Sequence, residues 1–221
     1  MQGTARKARI FIVDDHPIVR QGLAQLIDQE PDLVVCGEAG DAPTALRQMG
    51  TEEPDLAIVD LSLPSCDGIE LIKSLRSQCP RVRVLVLSMH DEALYLERAL
   101  RAGADGFLTK QEAAAEVLAA LRQLLRGEMY LSPALAPKLV RLIRDATQGE
   151  KAGVDRLSDR EFQVFRMIGE GKATKEIADQ LCLSVKTIET YRASIKKKLD
   201  LPDGQQLVQH AMRWVLSRDK P

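Results

Sequence analysis

The strongest constraint on the fold is a regular alternation of short apolar runs and amphipathic stretches between Arg9 and Arg126. Short runs rich in Val, Ile and Leu are typical of strands, and the segments between them repeat apolar residues at helical spacing. The predicted strands are Ile10–Val13, Leu33–Glu38, Leu56–Asp60, Val82–Ser88 and Gly106–Thr109. The predicted helices are Ile18–Gln29, Ala42–Met49, Gly68–Ser77, Glu92–Ala102 and Glu112–Arg126. Because such alternation produces right-handed crossovers, we expect a five-stranded parallel sheet with helices on both faces.

The alternation stops after Arg126, and the rest of the chain has a different organisation. Gly127, Pro133 and Pro137 punctuate a helical stretch that runs to about Ala146, and a polar linker follows over Thr147–Asp155. The remaining residues carry no strand signal and are predicted to form four helices, namely Asp159–Glu170, Thr174–Leu181, Val185–Leu199 and Gln205–Leu216. We therefore predict an α/β domain over residues 1–126, a helical linker region over 127–155 and an all-α domain over 156–221.

Composition separates the two predicted domains by charge. Residues 156–221 hold 13 lysine or arginine residues against nine aspartate or glutamate residues, although the whole chain has a net charge of −1. A basic domain can bind a polyanion, and a solvated basic face is the other interpretation of the same charges. The four cysteines lack the spacing of a zinc site. No apolar run approaches the roughly 20 residues that span a bilayer, so we expect a cytoplasmic chain that does not bind membranes.

Polar side chains follow the predicted strands at one common edge of the sheet. Asp14 and Asp15 follow the first strand, Asp60 ends the third, Ser88 ends the fourth and Lys110 follows the fifth. In an open parallel sheet the functional crevice lies at the carboxyl ends of the strands. Clustered carboxylates repel one another unless a cation lies between them, and ligation by oxygen alone points to Mg²⁺. A metal ion and a lysine around a carboxylate are what an anionic phosphoryl group requires for in-line transfer.

The residues around this edge resemble the receiver domain of bacterial two-component systems, which has a flavodoxin-like fold. The resemblance covers about residues 8–126 and is carried by the runs Val13–Pro17, Asp60–Pro64 with Gly68, Leu87–Ser88 and Gly103–Lys110. It implies that Asp60 is the phosphoacceptor, that Asp15 and Asp60 bind Mg²⁺ directly, and that Asp14 binds it through water. The Ser62 carbonyl would complete the protein ligands.

The same resemblance assigns a switch to three residues. Lys110 would contact the phosphoryl group, Ser88 would hydrogen-bond to it, and Phe107 would be the aromatic side chain that rotates as Ser88 moves. Two of the residues in this region have simpler interpretations. Phe107 can be an ordinary core aromatic. For His16, next to the carboxylates, an exposed residue in the first turn of a helix is favoured over a ligand.

The basic domain has the organisation of a helix-turn-helix. A short amphipathic helix is followed by the brief turn Cys182–Ser184 and then by a longer helix. Val185, Ile188, Ile195 and Leu199 are predicted to face the domain core. The runs Leu157–Glu161, Gly169–Ala178 and Leu183–Tyr191 resemble the LuxR-type DNA-binding domain over about residues 155–218. Receiver and LuxR-type domains in this order resemble the NarL/FixJ subfamily of response regulators.

The predicted DNA contacts lie on the longer helix of this motif. Residues near its start can reach base edges, and the later lysines can reach phosphates. The candidates are Lys186, Thr187, Glu189, Thr190, Arg192, Ala193, Lys196 and Lys197. Tyr191 stands where the family often has His, and Ala193 where it often has a longer polar residue, so the preferred DNA sequence stays open. The apolar residues of the last helix fit either a dimer interface or the domain core.

The leading hypothesis is a transcriptional regulator, not an enzyme, which a sensor histidine kinase phosphorylates and which binds double-stranded promoter DNA as a homodimer. One alternative is a Mg²⁺-dependent phosphatase or phosphotransferase that forms an aspartyl phosphate, although its usual motif separates the first two carboxylates by one residue whereas Asp14 and Asp15 are adjacent. A second alternative is a constitutive DNA-binding protein whose receiver serves only for dimerisation.

Overall fold

A parallel β-sheet organises the N-terminal part of the chain. The computed structural model describes residues 6–63, 68–88, 93–112, 114–133, 135, 137, 139 and 153–218. The strands are β1 (Ala8–Val13), β2 (Leu33–Ala39), β3 (Leu56–Val59), β4 (Arg83–Ser88), β5 (Gly106–Thr109) and β6 (Tyr130–Leu131). They pair in parallel in the order β2-β1-β3-β4-β5-β6. The strand order reverses beside β1, so the crevice of this doubly wound sheet lies at the ends of β1 and β3.

Helices cover both faces of the sheet, as predicted. They are α1 (Pro17–Asp28), α2 (Ala42–Glu52), α3 (Gly68–Gln78), α4 (Ala93–Ala102) and α5 (Ala114–Leu125). Ile10 and Ile12 of β1 belong to one buried cluster with apolar residues of α1 and α5. On the other face α2 contacts α3, and α3 contacts α4. All residues of β3 and β5 are buried, which explains their uninterrupted apolar sequences.

The sheet contains one strand more than we predicted. Tyr130 and Leu131 form β6, which pairs with Gly106 and Phe107 of β5. The error has a simple cause, because two residues are too few to show the period-two pattern of a strand. The five predicted strands and five predicted helices of this region are confirmed, with ends that differ from the prediction by a few residues.

The chain divides into two compact units, Met1–Ile143 and Arg144–Pro221. The domain limits predicted at 126 and 156 stay predictions. Within the predicted linker helix, only Leu135, Pro137 and Leu139 are described beyond Pro133, and the Leu139 amide donates to the Leu135 carbonyl as in a helix. The rest of that stretch to Ala146, and most of the Thr147–Asp155 linker, lie outside the described residues, as does Pro64.

The second unit is helical, as predicted. A short 3₁₀ helix over Gly153–Arg156 precedes α6 (Asp159–Gly169), α7 (Thr174–Gln180), α8 (Val185–Lys198) and α9 (Gly204–Arg218). Trp214 of α9 packs edge-on against Phe162 and Phe165 of α6, with ring centroids 5.2 and 5.8 Å apart. No helix in the described part of the chain combines the length and the apolar character that crossing a bilayer demands.

A buried carboxylate ties the first helix of this unit to α8. Glu161 accepts hydrogen bonds from the Ser194 hydroxyl and the Lys198 ammonium, both at 2.6 Å. It also accepts one from the backbone amide of Ser158 at 2.7 Å and so completes a capping box at the start of α6. Although burial raises the pKa of Glu161, these donors outweigh it and lower the pKa to about 2.

This depressed pKa predicts acid sensitivity of the helical unit. Because the folded-state pKa lies below the ordinary value of 4.5, the stabilisation is present above pH 4.5 and is lost as the pH falls toward 2. We expect Glu161→Gln to lower the free energy of unfolding at neutral pH by about 2 kcal/mol and to flatten its acid dependence. Urea titrations followed by the fluorescence of Trp214, the single tryptophan of the chain, measure this unit selectively.

The matched control is Glu189→Gln, since Glu189 is an exposed carboxylate that pairs with Arg192 within α8. That substitution should change the stability by less than about 0.5 kcal/mol. Equal effects of the two substitutions would contradict a special role for Glu161.

Candidate phosphoacceptor site and DNA-binding helix

The backbone places the predicted acidic residues at one end of the sheet. The Asp60 amide donates to the Val13 carbonyl at 2.8 Å, so the residue after β3 stays hydrogen-bonded to the end of β1. In the same way, the Lys110 amide donates to the Ser88 carbonyl at 2.8 Å. The ladder therefore continues one residue beyond the strands and fixes the starting points of the functional side chains.

The Lys110 ammonium bridges two buried carboxylates. Its Nζ lies 2.6 Å from Oδ2 of Asp14 and 2.8 Å from Oδ2 of Asp60. All three side chains are almost fully buried, and Asp60 is 1 % exposed. The structure thus brings together three residues that the sequence places on three different strand ends.

Burial and charge act in opposite directions on these groups. Burial raises the pKa of Asp60, while Lys110 and the Ser62 amide act to lower it. Burial lowers the pKa of Lys110, yet its hydrogen bonds to Asp14 and Asp60 outweigh burial and hold the pKa above the ordinary value. Lys110 is therefore a permanent positive charge beside a carboxylate whose ionised form is costly without further cations.

The residues fit a hard divalent cation. Ligand atoms of Asp14, Asp15, His16 and Asp60 all lie within 4.8 Å of one another. Oδ1 of Asp15 is shielded from solvent and accepts no hydrogen bond of regular geometry, and Nδ1 of His16 lies 2.7 Å from it. A carboxylate oxygen with so few partners suits an atom that binds a metal ion. The aspartates supply the oxygen ligands that Mg²⁺ prefers.

The loop after β3 is folded tightly around Asp60. The Ser62 amide donates to Oδ1 of Asp60 at 3.1 Å, which places Ser62 at the site, while its carbonyl as a metal ligand stays a prediction. A Cβ on Gly68 would lie 2.4 Å from the Asp60 carbonyl oxygen. Only glycine therefore allows α3 to begin so close to the phosphoacceptor candidate.

The two predicted switch residues are fully buried. Ser88 ends β4 opposite Thr109, and Phe107 lies in β5 between Val86 of β4 and Leu131 of β6. Burial of Phe107 suits both of its interpretations, the core aromatic and the switch. His16 is the N-cap of α1 and its side chain is 61 % exposed, but its ring reaches the carboxylates, a contact that sequence reasoning did not predict. Its position next to Asp14 and Asp15 was the available signal.

The predicted DNA-binding residues follow one exposed face of α8 only in part. Lys186, Glu189, Thr190, Ala193 and Lys197 are exposed, whereas Thr187, Arg192 and Lys196 are half-buried. The Thr187 amide and hydroxyl contact the Ser184 hydroxyl, the N-cap of α8. Arg192 is 19 % exposed and lies 3.6 Å from Glu189.

The core-facing side of α8 was predicted with one error. Ile188 and Ile195 are fully buried and Leu199 is half-buried, as expected of the apolar stripe. Val185 is 47 % exposed and does not face the core. Val185 is the first residue of the helix, so no preceding helical turn extends the buried stripe on its side.

Two family models match the chain. Residues 10–122 match the response regulator receiver domain, and residues 155–211 match the bacterial regulatory proteins of the luxR family. The transcriptional activator protein ExaE of Pseudomonas putida is 39% identical over 209 residues, which are 95% of this chain and 98% of that protein. The nitrate/nitrite response regulator protein NarL of Escherichia coli is 34% identical, over 88% of this chain and 90% of that protein.

Solved structures resemble the whole chain or a large part of it. RcsB from Salmonella enterica serovar Typhimurium, bound to promoter rprA in the presence of the phosphomimetic BeF3⁻, has a TM-score of 0.64 at 30% identity, and the match covers 94% of this chain and 99% of that one. A LuxR-family two-component response regulator from Aurantimonas has a TM-score of 0.60 at 37% identity, over 63% of this chain and 99% of that one.

The acidic cluster predicts stabilisation of the N-terminal unit by Mg²⁺. At a Mg²⁺ concentration ten times the dissociation constant, we expect the free energy of unfolding to rise by about 1.4 kcal/mol, because only the folded state assembles the ligands. Asp15→Asn should abolish the gain, since it removes the charge of the carboxylate whose oxygen is unsatisfied. Calorimetric unfolding of the full chain, with KCl at matched ionic strength as control, measures the effect. An equal gain in KCl would contradict a specific site.

Proposed function

The chain belongs to the response regulators that join a receiver domain to a LuxR-type DNA-binding domain, and on this premise we propose that phosphorylation of Asp60 controls its binding to promoter DNA. The observation that carries the proposal is the contact of one lysine with two buried aspartates, one of which is Asp60. This arrangement keeps a nucleophilic oxygen beside a fixed cation that can receive an incoming phosphoryl group.

We propose a sensor histidine kinase as the phosphoryl donor. A carboxylate oxygen of Asp60 attacks the phosphorus of the donor's phosphohistidine, the new P–O bond forms as the P–N bond breaks, and the electron pair of that bond returns to the imidazole. Mg²⁺, when bound by Asp15 and Asp60 and through water by Asp14, supplies charge neutralisation for the phosphoryl oxygens. Lys110 contacts those oxygens from its position beside Asp14 and Asp60.

The signal leaves the site through Ser88 and Phe107 in this proposal. Ser88 moves toward the phosphoryl group, and Phe107 of the adjacent strand rotates into the space that the serine leaves. The surface of α4, β5 and α5 then repacks and changes its affinity for a partner. What supports this step is the position of Ser88 at the end of β4, where its carbonyl accepts from the Lys110 amide.

For the DNA-binding unit, we propose that α8 enters the major groove. Its exposed face carries Lys186, Thr190, Ala193 and Lys197, and Thr187, Arg192 and Lys196 flank that face. Glu189 also lies on the exposed side and accepts a hydrogen bond from the Thr174 hydroxyl at 3.2 Å, which links α7 to α8. Because bacterial promoter DNA lies in the cytoplasm, we place the action of the protein there.

We also propose that the DNA-bound form is a homodimer held by α9. Leu207 and Ala211 are fully buried in the domain core, whereas Met212 and Leu216 are 42% and 63% exposed. The buried residues of α9 suit a role in the domain core, and the exposed ones suit the dimer interface that we propose.

The relatives with transcriptional names favour regulation over the alternative of a metabolic phosphotransferase.

The central prediction concerns Asp60. The wild-type chain should incorporate phosphate from a small acyl phosphate in a Mg²⁺-dependent reaction, and Asp60→Asn should abolish the labelling. With beryllofluoride and Mg²⁺, we expect the affinity for selected promoter DNA to change by at least about fivefold in the wild type and not in Asp60→Asn. The control is Glu128→Gln, which removes an exposed carboxylate of the same unit. Labelling of Asp60→Asn at the wild-type level would refute the assignment.

A second prediction tests the proposed orientation of α8. If Lys197 contacts a phosphate, Lys197→Ala should reduce the slope of log binding constant against log salt concentration by about 0.9 on any duplex. The control is Lys73→Ala, which removes an exposed lysine of the N-terminal unit and should leave the slope unchanged. A salt slope that Lys197→Ala does not alter would argue against the orientation.

A further inference from the structure

The exposed positions of α8 form one strip along the helix, and the charges on this strip are distributed unevenly. After the first residue of the helix, these positions are Lys186, Glu189, Thr190, Ala193 and Lys197. They recur at intervals of three or four residues, so they share one face of the helix. The strip has a lysine at each end and an acidic residue among short side chains at its centre. The two lysines are about 16 Å apart along the helix axis.

This distribution separates the atoms that suit phosphates from the atoms that suit bases. Lysine side chains suit phosphates, because each carries a compact cation on a long flexible stem. Phosphates repel a carboxylate, so placing Glu189 in a DNA groove is unfavourable unless the carboxylate accepts a hydrogen bond there. In the major groove, bases offer such donors as the amino groups N4 of cytosine and N6 of adenine.

Contacts within the helical unit hold the Glu189 carboxylate in place. The hydroxyl of Thr174, the first residue of α7, donates to Oε1 of Glu189 at 3.2 Å. Nε of Arg192 lies 3.6 Å from the same oxygen. Both contacts involve Oε1, and they leave Oε2 for a donor on a ligand. A side chain that is already ordered loses less conformational entropy when it binds.

The neighbours of Glu189 at the centre of the strip are poor acceptors for an amino group. The Thr190 hydroxyl donates to the Lys186 carbonyl at 3.0 Å, so it is engaged within the helix. Ala193 carries only a methyl group, which suits the C5-methyl group of thymine. The carboxylate of Glu189 is therefore the group at this centre that can accept a strong hydrogen bond from a base.

We propose that Glu189 determines part of the DNA sequence preference by accepting a hydrogen bond from N4 of a cytosine in the major groove. This inference rests on the proposed function, because it requires α8 to enter that groove. The adenine amino group lies between two acceptors, N7 of adenine and O4 of thymine, which repel a carboxylate. N4 of cytosine has one such neighbour, O6 of the paired guanine, and is the better donor for Glu189.

Selection from duplexes with randomised positions tests this assignment, with the full chain in the presence of beryllofluoride and Mg²⁺. We expect the wild type to prefer a C·G pair over the other pairs by at least about fivefold at one position of the selected site. Glu189→Gln should lose this preference and prefer A·T there, because a glutamine amide pairs with N6 and N7 of adenine. The preferences at the other positions should remain.

Asp200→Asn is the matched control, since it also removes an exposed carboxylate of the helical unit, one that lies outside α8 and pairs with Arg156. Loss of a negative charge raises the affinity for every duplex alike, whereas readout by Glu189 changes the ranking of the duplexes. An unchanged ranking in Glu189→Gln, or the same change of ranking in Asp200→Asn, would overturn the proposal.

Thr174→Val tests how the carboxylate is positioned. The substitution keeps the shape of the side chain and removes the hydroxyl that donates to Glu189. We expect the affinity for the C·G duplex to fall about two- to fivefold while the preferred base stays the same. Because the effect acts through Glu189, it should disappear in a Glu189→Ala background. An equal loss of affinity in that background would contradict the positioning role of Thr174.

The two proposals can fail separately. Selective DNA binding with a ranking of duplexes that does not depend on Glu189 would eliminate only the cytosine contact. Absence of binding to any duplex, with and without beryllofluoride, would eliminate the proposed control of promoter binding, and with it the inference on Glu189.

Discussion

The N-terminal site depends on the bridge that Lys110 makes between Asp14 and Asp60. Two carboxylates buried this close would repel each other and favour protonation, and a neutral Asp60 would be a poor nucleophile. The ammonium group offsets that repulsion at 2.6 and 2.8 Å and holds the ends of β1 and β3 against the residue after β5. The topology makes this possible, because the carboxyl ends of all strands in a parallel sheet lie at the same edge.

The helical unit also has one buried charged group that several elements share, but here it is a carboxylate and not an ammonium group. There a single buried carboxylate, Glu161, gathers donors from the turn before α6 and from α8, including Lys198. Lys198 is thereby held on the inner side of α8, while Lys197 is exposed. One ion pair thus stabilises the unit and helps to decide which lysines of the run at 196–198 can meet a nucleic acid.

Much of this structure follows from sequence periodicity and from polar residues at strand ends. The five long strands, their helices and the meeting of Asp14, Asp60 and Lys110 were predictable because parallel topology fixes which ends share an edge. The short strand β6 was not, since two residues carry no period. Nor were the exposure of Val185 and the direction of the His16 ring, because they depend on packing and on loop geometry at a helix start. Beyond Pro133 the only sequence signal was proline, which indicates where a helix is interrupted but not which element the segment packs against.

The pairing of β6 with β5 has a mechanical consequence. The backbone of Leu131 lies in register with that of Phe107, so the segment that leaves the receiver is part of the same hydrogen-bonded sheet as the aromatic residue. A displacement of β5 must carry Tyr130 and Leu131 with it or break their bonds. The first residues after α5 are therefore fixed to the edge of the sheet by backbone hydrogen bonds. A movement of Phe107 can be transmitted through them to the start of the segment that connects the two units.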